Sequence, residues 1–516
     1  MAFCIFYAII DRMKTISKID PEKEYDNAKN LIATYTDKYQ LEAPDAQSLG
    51  DSIDNLITVA RILMDREERR RGLKKDPPKE MSAKPVGRQK GQNREESKKL
   101  PSERFPELEV TEETIQAPER PKCPCCSALM QESGLFDISE KLEVLPKRYY
   151  IVRTKRIKYN CPSCHGSMVN TSAKASIVPT SNYGDSLIID AALSKYCDLI
   201  PIERYAEIAI RSGLEGLPPQ SLIGLTHHLA NFLLPVYAKI KEEILSAKIL
   251  LADETPHRML EGDEAKNWYL WGFLTQTACL FEVHNTRSGE VVFEILKSSQ
   301  TKYLLSDGYS AYSKAIKDIK NDQDRDIIAV NCNAHAYRYF KEASIPWGKE
   351  SNLFLETYKQ IYQLEQEKND HNLTEDEQLE VRKKMLPLFE KMKAACTQYQ
   401  ADAMPGSGLE KALNYFLNHY GGLILCTNNI EIPLDNNLTE RELRAPVIGR
   451  KTWYGTHSKR GALTNAILFT VVQTCKMNKI NPRNYFPWVV RRILQGEDPL
   501  SPHQYLKFSS LQQETL

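Results

Sequence analysis

From Lys248 the spacing of apolar residues changes from helical to strand-like, and the order of elements beyond that point narrows the folds open to the chain. Ile249–Asp253, Trp268–Leu274 and Ala278–His284 predict three strands, the last two joined by a short turn. Val291–Lys297 predicts a short helix and Tyr303–Asp307 a fourth strand. A helix at Tyr312–Ile319, a strand at Ile327–Val330 and a helix at Ala334–Phe340 come next. Three strands, a helix and two further strands make a mixed sheet with helices packed on it. Residues 345–430 are helical and charged, and Ala462–Lys476 is a long apolar helix.

Three acids stand out against this order. Asp253 ends the run Ile249-Leu250-Leu251-Ala252, and Asp307 ends Tyr303-Leu304-Leu305-Ser306 before Gly308-Tyr309. Glu440 lies in Asp435-Asn-Asn-Leu-Thr-Glu440-Arg441, where a helix should start. Two carboxylates at strand ends and one on a later helix can converge and hold hard divalent cations. The separations, 54 residues and then 133, suit an RNase H-like core with a helical insertion before its last helix. Phosphodiester chemistry needs an activated water or 3′-hydroxyl and charge relief at the leaving oxygen. Two divalent metal ions about 4 Å apart supply both. Asp253 would bridge them, while Asp307 and Glu440 complete one each. Glu254, one residue on, would face away. Asp435 competes for the third place. The bland alternative is that these are ordinary turn and cap acids.

Past Glu440 the chain carries Arg441, Arg444, Arg450, Lys451, Trp453, Tyr454, Lys459 and Arg460 among glycines. Basic residues can neutralise phosphates and an aromatic ring can stack on an unpaired base, so these are candidate DNA contacts. A basic loop without DNA is the alternative.

Upstream, Cys123-Pro-Cys125-Cys126 and Cys161-Pro-Ser-Cys164 flank a strand-like basic and aromatic stretch, Lys147–Tyr159. Two such knuckles joined by β-structure form a zinc ribbon, with Cys123, Cys126, Cys161 and Cys164 as ligands, Cys125 as a spare that could replace a neighbour and His165 as a weaker candidate. A redox pair or unligated thiols are the alternatives. Gly213, and Pro218-Pro219 after it, separate two helices in the outline of a helix-turn-helix. Between Arg61 and Lys99 there are fourteen basic and seven acidic residues, a solvated basic linker or an arm for phosphates.

The expected organisation is multidomain α+β. It comprises a helical region at 1–70, the linker at 71–120, the zinc ribbon at 121–175 and a helix-turn-helix-like DNA-binding region at 176–246. The core spans 247–344 and 431–480 around the insertion at 345–430, and a C-terminal region occupies 481–516. A net charge of +1, from 69 basic and 68 acidic residues, leaves nucleic-acid binding to local patches. Twelve cysteines without a disulfide-like framework suggest a reducing cytoplasm. The apolar run at residues 2–10 has no basic residue before it, which reads as a buried element rather than a signal peptide.

Asp253-Glu-Thr-Pro, Asp307-Gly-Tyr, Cys332-Asn-Ala-His335, Asp435-Asn-Asn-Leu-Thr-Glu-Arg-Glu-Leu-Arg and Gly449-Arg-Lys-Thr-Trp together resemble the transposases of the insertion sequence 66 family. The doubled cysteine pairs are similar to that family's zinc-binding segment. The resemblance covers residues 100–505. It implies a DDE transposase that cuts transposon terminal inverted repeats and joins them to target DNA, with Asp253, Asp307 and Glu440 as Mg²⁺-binding catalytic acids. It also implies double-stranded DNA as partner, a homo-oligomer on DNA and, for some family elements, small accessory proteins. It places the protein in the bacterial cytoplasm, associated with the nucleoid. The family usually has Trp where Asn333 stands, which leaves the role of Cys332 and His335 open between structural and metal-binding.

Overall fold

The computed structural model describes residues 100–114, 125, 127, 129, 138–144, 147–160, 168–260, 267–369, 372–401 and 403–513. The expected helices of residues 1–70, most of the basic linker and the ligands expected at Cys123, Cys126, Cys161 and Cys164 lie outside them. The chain divides into two compact units, Lys74–Ile151 and the rest. In the first, a single helical turn at Pro101–Arg104 is pinned by Glu140, whose carboxylate accepts the Ser102 N–H and hydroxyl, each at 2.8 Å.

Among the described residues, the second unit starts with a small antiparallel ladder, β1 (Lys158–Asn160) on β2 (Met168–Asn170). Four helices come next: α1 (Asp185–Tyr196), α2 (Ile202–Arg211), α3 (Pro219–Phe232) and α4 (Leu234–Ser246). α2 buries Ile202, Tyr205, Ala206 and Ala209, a stripe at helical spacing. Gly213, at φ +83°, ends the turn after it.

A five-stranded sheet then forms from β3 (Ile249–Arg258), β4 (Asn267–Leu274), β5 (Cys279–His284), β6 (Tyr303–Ser306) and β7 (Ile328–Asn331), in the order β5-β4-β3-β6-β7. β5, β4 and β3 run antiparallel, while β3, β6 and β7 run parallel. The parallel crossovers are made by α5 (Gly289–Lys297) before β6 and α6 (Ser310–Gln323) before β7, and α7 (Asn333–Ala343) leaves the last strand. The expected end of the first strand is corrected here. Asp253 does not end it, because β3 continues to Arg258 paired with β4. Past Leu251 β3 has no strand partner on its other side among the described residues, so Pro256 removes no sheet hydrogen bond there.

Four helices, α8 (Gly348–Lys368), α9 (Glu375–Lys383), α10 (Leu386–Gln400) and α11 (Gly408–Leu423), separate α7 from α12 (Asn437–Trp453). The fully buried Arg382 ties α9 to α8 and to the segment after α11, pairing with Glu365 and donating to Cys426 O (2.8 Å) and Ile432 O (3.0 Å). α11 lies against β7, and a Cβ at Gly422 would run into Asn331 Oδ1.

α13 (Lys459–Met477) is buried around almost its whole circumference from Ala462 to Cys475. It covers the edge strand β5: the Thr470 hydroxyl accepts the Phe281 N–H (2.8 Å) and that of Thr474 the Cys279 N–H (3.2 Å). Edge groups that would otherwise be buried unpaired are satisfied in this way. α14 (Pro482–Leu494) and α15 (Pro502–Gln513) close the chain. Among the described residues no helix is long and apolar enough to cross a membrane.

Candidate active site

The register of the parallel strands sets two acids level. Leu251 pairs with Leu305, and two residues beyond each stand Asp253 and Asp307. The β6 side ends in a tight turn at Gly308, whose φ of +86° favours glycine. Asp307 Oδ1 accepts the Tyr309 N–H at 2.9 Å, and Asp253 Oδ1 accepts that of Glu254 at 2.9 Å.

A buried chain of hydrogen bonds fixes the third acid relative to these two. Asn436, at the start of α12, donates its side-chain amide to Ala252 O (3.0 Å) and its N–H to Cys332 Sγ (3.2 Å). The Cys332 N–H donates to Ser306 O at 3.1 Å. The residues just before both aspartates are thereby tied to the helix that carries Glu440 in its first turn. Cys332 is a joint in this network, and burial pushes its thiol up to about 12, so it stays a protonated, structural thiol.

Charge at the site is unbalanced. Burial, then the negative charges of Glu254, Asp307 and Glu440, push the Asp253 carboxyl up to about 8. Glu254 lies on the opposite side of the strand, compensated by Arg287 (Nη2–Oε1 2.7 Å) and by the Tyr312 hydroxyl. Glu440 accepts two bonds from Arg338 Nη2 (3.0 and 3.1 Å), and His335 Nε2 stands 3.6 Å away. Asp253 and Asp307 have no ion-pair partner among the described residues.

Carboxylate oxygens with surplus negative charge have the chemistry of a hard-cation site. They are not gathered into one: among the described residues no three acid, histidine or cysteine side chains stand close enough to share an ion. Like charges repel, and Glu440 is turned onto Arg338. Asp435 has a different job. Its carboxylate accepts the Asn437 N–H (3.0 Å) and the Tyr362 hydroxyl (2.9 Å), an Asx turn that starts α12.

Sequence alone did not indicate Arg338, Tyr415 or His419. Arg338 lies one helical turn beyond His335, so both face Glu440. Tyr415 and His419 come from α11. The Tyr415 hydroxyl donates to Asp307 O at 2.7 Å, and the two rings lie 4.6 Å apart. A Cβ at Gly308 would come within 2.9 Å of His419 Nε2. Asn333 is fully buried, donating its side-chain amide to Leu423 O and Leu434 O, each at 3.0 Å. It thereby holds α7 to the end of the helical segment.

The candidate DNA contacts divide. Arg441, Arg444 and Lys451, with Ile448 between them, form the exposed stripe of α12 at helical spacing. Arg450 is half-buried and leans on β3, with Nη1 3.5 Å from Thr255 Oγ1. Lys459 and Arg460 are exposed in the first turn of α13. Trp453 is taken up by packing: its ring stacks at 6.5 Å on Phe469, meets Tyr196 edge-on and lies over Gly449. Its neighbour Tyr454, at φ +63°, is 69% exposed. In the helical hairpin upstream, α3 has no lysine or arginine and buries Leu222, Leu225 and Leu229.

The profile of the zinc-finger binding domain of transposase IS66 matches residues 121–165, the segment that holds all four expected zinc ligands. Three uncharacterized proteins of Sinorhizobium fredii are similar over most of their lengths. y4hP is 26% identical over 72% of this chain and 70% of its own, and y4jD 24% over 75% and 78%. y4qI is 27% identical over 75% and 73%. The profile of the transposase IS66 family matches residues 180–464, more than half of the 516, from α1 through the sheet to α13. The chain belongs to the IS66 family of transposases.

Proposed function

We propose that the chain is a DDE-type DNA transposase that cuts at the ends of its element and joins them to target DNA. The observation that carries this is the Ala252–Asn436–Cys332–Ser306 network, which brings the helix bearing Glu440 to the level of Asp253 and Asp307. The strand order, three antiparallel strands and then two parallel ones, supports an RNase H-like core. Asp253, Asp307 and Glu440 would hold two Mg²⁺ ions, which supply activation of the attacking oxygen and charge relief at the leaving oxygen. Each residue then has its own task. To hold a cation, Asp253 would have to be unprotonated and Glu440 would have to turn from Arg338 toward the two aspartates. Arg338, then free, can face the phosphate. Arg441, Arg444 and Lys451 track the DNA backbone, and Tyr454 is the ring free to stack on an unpaired base. Zinc, on the thiols of the 121–165 segment, is structural. Assembly on paired ends as at least a dimer completes the proposal.

The test is a labelled fragment carrying the element's own end, incubated with Mg²⁺ and wild-type or Asp307→Ala protein. Metal-dependent nicking and joining, lost in the variant while binding persists, is the expected result. The Glu440–Arg338 pair also suits a second reading, an end-binding protein that never releases Glu440. Binding without cleavage by either protein would favour it.

A further inference from the structure

Away from the acids, a second charge imbalance has the opposite sign. Lys195, in the last turn of α1, points its Nζ over two rings, 5.1 Å from the Trp453 centre and 5.5 Å from that of Tyr196. It makes no hydrogen bond and no ion pair among the described residues. Burial lowers its ammonium to about 8, against the weaker pull of Glu203. Beside it, His227 of α3 is bonded through Nδ1 to Thr464 of α13 (2.7 Å). Burial, then Arg460, Lys195 and His228, hold that imidazole at about 4, so it stays neutral.

The first turn of α13 adds to the same field. A helix N-terminus favours acids, yet this turn has none and carries Lys459 and Arg460 instead. Ser458 caps only the Gly461 N–H (3.2 Å). A half-buried lysine without a counter-ion costs free energy, and Arg460 at the helix start adds to the same positive field. One bound anion would relieve both.

We propose that Lys195, Arg460, His227 and the N-terminal turn of α13 form a niche for a phosphodiester of duplex DNA. This deepens the transposase reading and rests on it. The niche is built by α1, α3, the last residue of α12 and α13, whereas the acids lie at β3, β6 and the first turn of α12, so it holds DNA without taking part in the chemistry. Trp453 serves as its wall, which explains why an aromatic ring in a basic segment faces inward. His227, neutral, can donate through Nε2 to a phosphate oxygen when Nδ1 accepts from Thr464.

The test uses the full-length wild-type protein. Lysines are reductively methylated with and without a duplex carrying the element's end, and the extent at each site is read by mass spectrometry. Lys195, deprotonated more readily than surface lysines, should react early in free protein and be protected at least several-fold by the duplex. In parallel, Lys195→Gln should weaken duplex binding about tenfold at moderate salt and lower the slope of log affinity against log salt by about 1. The loss should be equal for the end sequence and an unrelated duplex, and Lys195→Arg should restore the slope. Equal methylation with and without DNA, or an unchanged slope, overturns the niche while leaving the transposase reading intact. So does protection by inorganic phosphate but not by the duplex. Failure of the wild type to bind any duplex overturns both.

Discussion

Asp253→Asn should make the metal-free protein more stable, and the size of the gain is set by the burial of Asp253 and the charge around it. The carboxyl's ordinary value is 3.8 and its folded value about 8. Between those limits the folded chain keeps a proton that the unfolded chain has released. Raising the pH through that window therefore removes stability. A difference of about 4 pKa units corresponds to about 5–6 kcal/mol at pH 8 and above. Movement of Asp307 and Glu440 apart, together with water entry, reduces this to on the order of 2–3 kcal/mol. Asparagine keeps the shape, carries no charge at any pH and still accepts the Glu254 N–H. In EDTA at pH 8 the variant should melt several degrees above wild type, and at pH 4 the two should coincide. Mg²⁺ should raise the wild-type melting temperature at pH 8 and leave the variant's almost unchanged. Thermal melts recorded by circular dichroism at both pH values, with and without Mg²⁺, measure all of this. Equal melting temperatures in EDTA at pH 8, or an equal Mg²⁺ shift in both proteins, would refute the argument that Asp253 is buried beside other carboxylates at a cation site.

Local geometry makes two more substitutions informative. Gly308→Ala should cost about 1–2 kcal/mol from the left-handed backbone alone, and more from the contact with His419; it should displace Asp307 and abolish strand cleavage in a gel assay while filter binding to duplex DNA persists. Trp453→Ala should lose about 2–4 kcal/mol of stability in a denaturant titration because it empties the space against Phe469 and Tyr196, whereas Tyr454→Ala should leave stability unchanged and weaken binding to ends with unpaired bases by about 1–3 kcal/mol.

The sheet and its acids were legible because their signals are local. An apolar run of four residues with an acid after it marks both Asp253 and Asp307, and strand alternation alone turns Glu254 to the other side. The length of β3 was not legible: Pro256 reads as a stop, and only the early end of β6 makes it tolerable. Tyr415 and His419 were invisible for another reason. They reach the Asp307–Gly308 turn from 108 residues or more along the chain, and on α11 their spacing looks like any helix face. The same holds for Lys195, whose surroundings come from α3, α12 and α13, far from it in sequence.

Trp453 shows how composition can mislead where geometry would not. An aromatic residue between Lys451 and Tyr454, in a segment rich in arginine and glycine, suggests a ring presented to DNA. The deciding residue was Gly449, four positions earlier and thus one helical turn back on the same face. In the middle of a helix glycine costs about 1 kcal/mol relative to alanine, so its presence there calls for a steric reason. The reason is the indole: a Cβ at Gly449 would stand 2.5 Å from Trp453 Cζ2 and Cη2. A glycine placed to receive a large ring at i+4 argues that the ring is folded back onto its own helix. The next residue along the chain is then the one left facing solvent, and here that residue is Tyr454.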